Sequence, residues 1–102
     1  MLYNSEIENI VQKLKIYNPQ KIILFGSYAR GDINEASDID MLIIKDTKTK
    51  FIERIDEVLD ICNGCPKLEP LIYTPDEIAN MLANQNDFIC TVLKEGVVVY
   101  EQ

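Results

Sequence analysis

The chain has 102 residues, 47% hydrophobic and 26% charged, with a formal net charge of −7 at pH 7 and no histidine. Such a length fits one domain over residues 1–102 with a thin core, and no apolar run approaches the ~20 residues of a membrane span. The acidic balance disfavours direct nucleic-acid binding, and the lack of histidine excludes Ser-His-Asp and Cys-His mechanisms.

The opening MLYNSEIENI lacks the basic-then-apolar layout of a secretory signal, so a cytoplasmic address is expected. Ser5-Glu6-Ile7-Glu8 reads as a capping box, and Ile7, Ile10, Val11 and Leu14 follow at helical spacing up to Asn18-Pro19. Lys21 to Phe25, KIILF, is a short β-branched apolar run that predicts a buried strand ended by Gly26. Ser27 to Arg30 suits a brief helical turn, and Gly31 to Ser37 has loop composition. Asp38 to Ile44, DIDMLII, alternates and then turns continuously apolar, as a central strand does.

Phe51, Ile52, Ile55, Val58 and Leu59 set out a second long helix, with Asn63-Gly64 as its stop. Leu68 to Tyr73 is a third strand, where Pro70 signals an irregular or edge position. Thr74-Pro75-Asp76-Glu77 is a helix start, and Ile78, Met81 and Leu82 form the apolar face behind it. Asn84 to Asp87 breaks that helix; Phe88, Ile89, Val92 and Leu93 mark another, and Val97 to Tyr100 a final strand. The expected fold is a small α/β (α+β) domain, a mixed sheet of about four strands with helices packed against it.

The cysteines are Cys62, Cys65 and Cys90. Cys62-Asn63-Gly64-Cys65 is a C-x-x-C, but four zinc ligands are not available. The pair reads as packed, reduced thiols, with a redox couple as the alternative.

Gly26-Ser27-Tyr28-Ala29-Arg30-Gly31 has the glycine spacing of a P-loop, but Asp32-Ile33 stands where Lys-Ser/Thr is required, so a Walker site is excluded. Backbone N–H groups and the Ser27 hydroxyl can still face a phosphate. Asp38 and Asp40 lie i and i+2 on a strand, so they aim to one side while Ile39 turns to the core. Two carboxylates about 5 Å apart repel by roughly 3 kcal/mol at an effective dielectric of ~20. A Mg²⁺ ion would convert that repulsion into binding, whereas a solvated strand end is the plainer account of the same pair.

Gly-Ser, ten residues, then Asp-x-Asp at the start of an apolar strand resembles the polymerase-β-like nucleotidyltransferases. GSYARGDINEASDIDMLI is similar in detail to the minimal nucleotidyltransferases, which are commonly encoded beside a helical HEPN partner as a toxin–antitoxin pair. The likeness runs over nearly the whole chain, and it implies a single minimal nucleotidyltransferase domain, 1–102. It also implies a third carboxylate on the strand before a "TP" helix start, where this chain has Glu69 in place of the usual aspartate.

By that resemblance Asp38, Asp40 and Glu69 are the catalytic and metal-binding residues, holding two Mg²⁺ ions, and Gly26, Ser27 and Arg30 bind the nucleotide. Arg30 equally suits a pair with Asp32 or Glu35, and Tyr28 reads as packing. The implied activity is transfer of AMP from ATP, with release of pyrophosphate, to a tyrosine hydroxyl of the HEPN toxin encoded next to it, silencing that toxin. Leu2, Tyr3, Phe88 and Tyr100 are candidates for the docking surface, though core packing accounts for them as well. Two alternatives remain: an antitoxin that only occludes its partner, and an aminoglycoside-type transferase acting on a small hydroxyl compound.

Overall fold

The computed structural model describes residues 5–32 and 37–102. Helix α1, Ser5–Leu14, buries Ile7, Ile10, Val11 and Leu14, the expected stripe. Ser5 lies inside that helix, so it does not cap it; the residues before it lie outside the described ones. A 3₁₀ turn, Lys15–Tyr17, follows and ends at Asn18 with φ 60°, a left-handed conformation that asparagine tolerates. Strand β1, Lys21–Phe25, leads through Gly26 into the short α2, Ser27–Arg30. Then come β2, Ile39–Ile44, helix α3, Phe51–Ile61, and β3, Leu68–Tyr73. Helices α4, Pro75–Ala83, and α5, Asp87–Glu95, precede β4, Val97–Glu101. Among the described residues no helix is long and apolar enough to cross a membrane.

The four strands form one sheet in the order β3-β2-β1-β4. β1 runs antiparallel to both its neighbours, while β2 and β3 are parallel, with α3 as the crossover such a pair requires. Pro70 therefore sits in an edge strand, where its missing N–H removes no ladder bond that the fold needs. Alternation splits the core in two. Ile22, Leu24, Ile39, Met41, Ile43, Leu68 and Ile72 pack with α1 and Val58 of α3 on one face. Ile23 and Leu42 pack with Ile78 of α4 and Ile89 and Val92 of α5 on the other.

Helix α3 departs from the expected face. Ile52 is 68% exposed and Leu59 41%, whereas Val58 and the charged Arg54 are buried. The helix is turned so that residues 51, 54, 55 and 58 face inward, a phase hidden in the sequence because one of them is arginine. Each of its three guanidinium nitrogens donates a hydrogen bond. Nε donates to the Thr49 carbonyl at 2.7 Å, Nη1 to the Ile72 carbonyl at 3.2 Å, and Nη1 and Nη2 to the Glu77 carboxylate at 2.7 and 3.2 Å. Glu77 also accepts from the Thr74 N–H at 2.8 Å while its own N–H donates to Thr74 Oγ1 at 3.1 Å, a complete capping box for α4.

The Arg54 hydrogen bond, with help from Thr74 and the nearby Arg54 charge, holds the Glu77 carboxyl below its usual range despite partial burial. Replacing Glu77 by Ala removes the cap and leaves a buried cation short of its anion. Denaturant unfolding is expected to show a loss of about 2 kcal/mol.

Candidate active site

Strand directions decide what meets at one end of the sheet. Because β1 runs opposite to β2 and β4, the C-terminal end of β1 lies beside the N-terminal ends of β2 and β4, and parallel pairing adds the start of β3. In register, Phe25 lies opposite Asp40, and Asp40 opposite Glu69. Asp40 and Glu69 share parity with Leu42 and Leu71, so they emerge on the face covered by α4 and α5. Asp38 is exposed immediately before β2, one residue short of the expected strand start.

Gly26 is demanded by this meeting point. Its φ of 73° and ψ of −149° lie in a region that essentially only glycine occupies, and a Cβ there would collide with the Asp40 carboxylate. Ser27 follows at once and lines the same cleft as Asp38, Asp40 and Arg30. Arg30 pairs with Asp32, Nε to Oδ2 at 3.6 Å, with both side chains mostly exposed. Its other proposed partner, Glu35, lies outside the described residues. Tyr28 is buried and its hydroxyl donates to Glu6 at 3.3 Å, tying α2 to α1 as packing.

The carboxyls interact directly. The Asp38 charge raises the Glu69 carboxyl above its ordinary value, with burial and the nearness of both aspartate side chains adding to the effect. Asp40 is raised mainly by burial and further by Asp38, while the neighbouring Glu69 and the charge of Arg30 pull the other way.

Does this donor set suit Mg²⁺? Among the described residues, no group of three or more His, Cys, Asp or Glu forms a ready-made metal cage. Mg²⁺ does not ask for one, since it keeps waters and takes one or two carboxylates together with substrate phosphates. Hard oxygen donors, mutual repulsion awaiting a counter-charge and an open side toward the cleft all fit the ion.

The cleft has a volume of about 430 Å³, within the usual range of small-molecule sites. Its far wall is α5, which contributes Phe88, Thr91, Val92 and Glu95. Those four fall at i, i+3, i+4 and i+7, so they share one helix face. Of these only Phe88 is among the candidates named from the sequence; Thr91, Val92 and Glu95 are additions, and their i, i+3, i+4, i+7 spacing with Phe88 is the signal that links them. Phe88 packs edge-to-face on Phe25, ring centres 5.7 Å apart. Of the suggested docking residues, Phe88 is at the cleft, Tyr100 is half-buried beneath Lys15, and Leu2 and Tyr3 lie outside the described residues.

β1 runs into Gly26-Ser27 beside the start of β2, where Asp38 and Asp40 stand with Glu69 on the neighbouring strand. The chain belongs to the family described as "Polymerase beta, Nucleotidyltransferase", whose sequence profile matches residues 6–102, and it is a nucleotidyltransferase. It is 41% identical over 85 residues to a Methanocaldococcus jannaschii protein named "Putative protein adenylyltransferase", covering 79% of this chain and 78% of that one. A second protein of the same name and organism is 31% identical over 114 residues, covering 99% of this chain and 74% of the relative. The fold is also similar to a crystal structure of a "putative nucleotidyltransferase" from Sulfolobus solfataricus, with a TM-score of 0.54 and 20% identity. That alignment covers 98% of this chain and 90% of the other.

Proposed function

We propose that the chain is a Mg²⁺-dependent protein adenylyltransferase that transfers AMP from ATP to a hydroxyl of a partner protein. In the pairing suggested by its resemblance to minimal nucleotidyltransferases, the acceptor is a tyrosine of a HEPN-type toxin, which the transfer neutralises. The observation that carries this reading is that Asp38, Asp40 and the Gly26-Ser27 turn line one cleft, with Glu69 next to Asp40 in the strand register. The names of the relatives support protein as the acceptor.

Asp38 and Asp40 would hold the metal with the triphosphate, and Glu69 would complete the set on the acceptor side. Mg²⁺, when bound, supplies Lewis-acid charge that activates a hydroxyl and stabilises the leaving phosphate oxygens. The chain's own residues do the rest. Gly26 leaves room for the Asp40 carboxylate, the Ser27 hydroxyl would donate to an outer phosphate oxygen, and Arg30 would face the same anion from the cleft wall. The acceptor oxygen bonds to the α-phosphorus as the bond to the β-phosphate oxygen breaks, and pyrophosphate leaves. The acceptor proton would pass to a carboxylate of the site, and Glu69, beside Asp40 in register, is the group placed for that role.

The test is to incubate the chain with the product of the neighbouring gene, ATP and Mg²⁺, and to weigh that protein. An AMP adduct that vanishes in the Asp38→Asn/Asp40→Asn variant is expected. Full neutralisation by the double variant with no adduct would leave only occlusion of the partner. Transfer to a small hydroxyl compound in place of the protein would point to the aminoglycoside-type reading.

A further inference from the structure

The Cys62-Asn63-Gly64-Cys65 turn takes no part in nucleotidyl transfer, yet its geometry is specific. Cys62 ends α3, and the Cys65 N–H donates to the Cys62 carbonyl at 3.1 Å, closing a tight turn with Gly64 at φ 92°. A turn of this kind keeps the two Cα atoms within about 7 Å, the span a disulfide bridges. The thiols already touch, Cys62 to Cys65 at 2.7 Å, and neither is bonded to another cysteine.

Their surroundings differ. Cys62 is 2% exposed, and burial, reinforced by Cys65, pushes its thiol up to about 12. Cys65 is part-exposed beside an open surface depression lined by Leu59, Asn63 and Pro66, and the Lys13 ammonium stands 3.8 Å from its sulfur. Lys13 is held there by donating to the Asn63 carbonyl at 3.2 Å. Cys65 is therefore the sulfur a solute can reach, and Cys62 the shielded one in contact with it.

We propose that Cys65 and Cys62 form a thiol–disulfide exchange site that takes low-molecular-weight disulfides, with Cys65 attacking and Cys62 resolving. The Cys65 thiolate attacks one sulfur of the small disulfide, forming a mixed disulfide and expelling one small thiolate. The Cys62 thiol gives up its proton to that thiolate, and its sulfur then attacks Cys65, expelling the second. Two protein thiols are oxidised to one disulfide, and one small disulfide is reduced to two thiols. Closure spans only a tight turn, so it restricts the unfolded chain little, and the bond is readily reversed by excess thiol. The same turn leads into β3, since the Leu68 N–H donates to the Cys65 carbonyl at 3.1 Å, one residue before Glu69.

The test uses the chain in a Cys90→Ser background, which removes the exposed third thiol. Treated with glutathione disulfide, it is expected to lose both titratable thiols, retain no glutathione, and yield a proteolytic fragment joining Cys62 to Cys65. Cys62→Ala should trap glutathione on Cys65. Glutathione retained on Cys65 when Cys62 is present, or both thiols still free after treatment, would overturn the proposal. The peptide map needs no Cys62 or Cys65 variant, so it decides even where a substitution there disturbs folding.

Discussion

Asp40→Asn is expected to lower nucleotidyl transfer by about a thousandfold while making the fold more stable. In the proposed function Asp40, placed between Phe25 and Glu69, would hold the metal, and the charge stabilisation at such a site amounts to several kcal/mol in the transition state. The gain follows from proton counting. Asp40 and Glu69 are both raised above their ordinary values of 3.8 and 4.5, so between those values and the folded ones the native chain holds more protons than the unfolded chain. Stability contributed by these groups is present in acid and falls as pH rises through that window.

Glu77, lowered from 4.5, acts in the opposite sense: its contribution is present above that value and is lost as pH falls. Thermal unfolding scanned from pH 4 to pH 8 should therefore show Asp40→Asn flattening the decline that Asp40 and Glu69 cause, with the Glu77 contribution unchanged. Mg²⁺ should raise the melting temperature of the wild type at neutral pH and do so less in the variant. Equal stabilisation of both proteins by Mg²⁺ would remove the carboxylates from the metal site.

Gly26→Ala is expected to damage folding and chemistry together. The alanine must adopt a backbone conformation that costs about 1–3 kcal/mol, and its methyl would occupy the space of the Asp40 carboxylate. Denaturant midpoints should report a loss of about 3 kcal/mol, with transfer reduced to the level of the Asp40 variant. Gly31→Ala is the control. Its φ is also positive, at 83°, but a Cβ there meets nothing within 4 Å, so only the backbone cost of about 1 kcal/mol is expected. Activity retained in Gly26→Ala at full stability would show that the close approach of Gly26 to Asp40 is dispensable.

Much of this protein is legible along the chain because its signals are local. The stripe of α1, the apolar runs of β1 and β2, and the Thr74-Pro75 start of α4 depend on neighbours within one or two turns, and the structure places them where the periodicity does. Ser5 lies inside its helix, and on α3 Phe51, Ile55 and Val58 face inward as expected while Ile52 and Leu59 are exposed and Arg54 takes the inner place. Arg54 reads as a surface residue until Thr49, Ile72 and Glu77, from other elements, are brought around its guanidinium.

The sequence by itself determined the elements, the Gly-Ser turn and the two aspartates, since each is set by residue type and short-range spacing. Only the tertiary structure decided that Glu69 stands beside Asp40, that Asp40 crowds Gly26, and that one face of α5 forms the far wall of the cleft. Those facts depend on strand register and helix docking between segments far apart in the chain. A carboxylate's neighbours, and hence its charge state, are properties of that register and not of the local sequence.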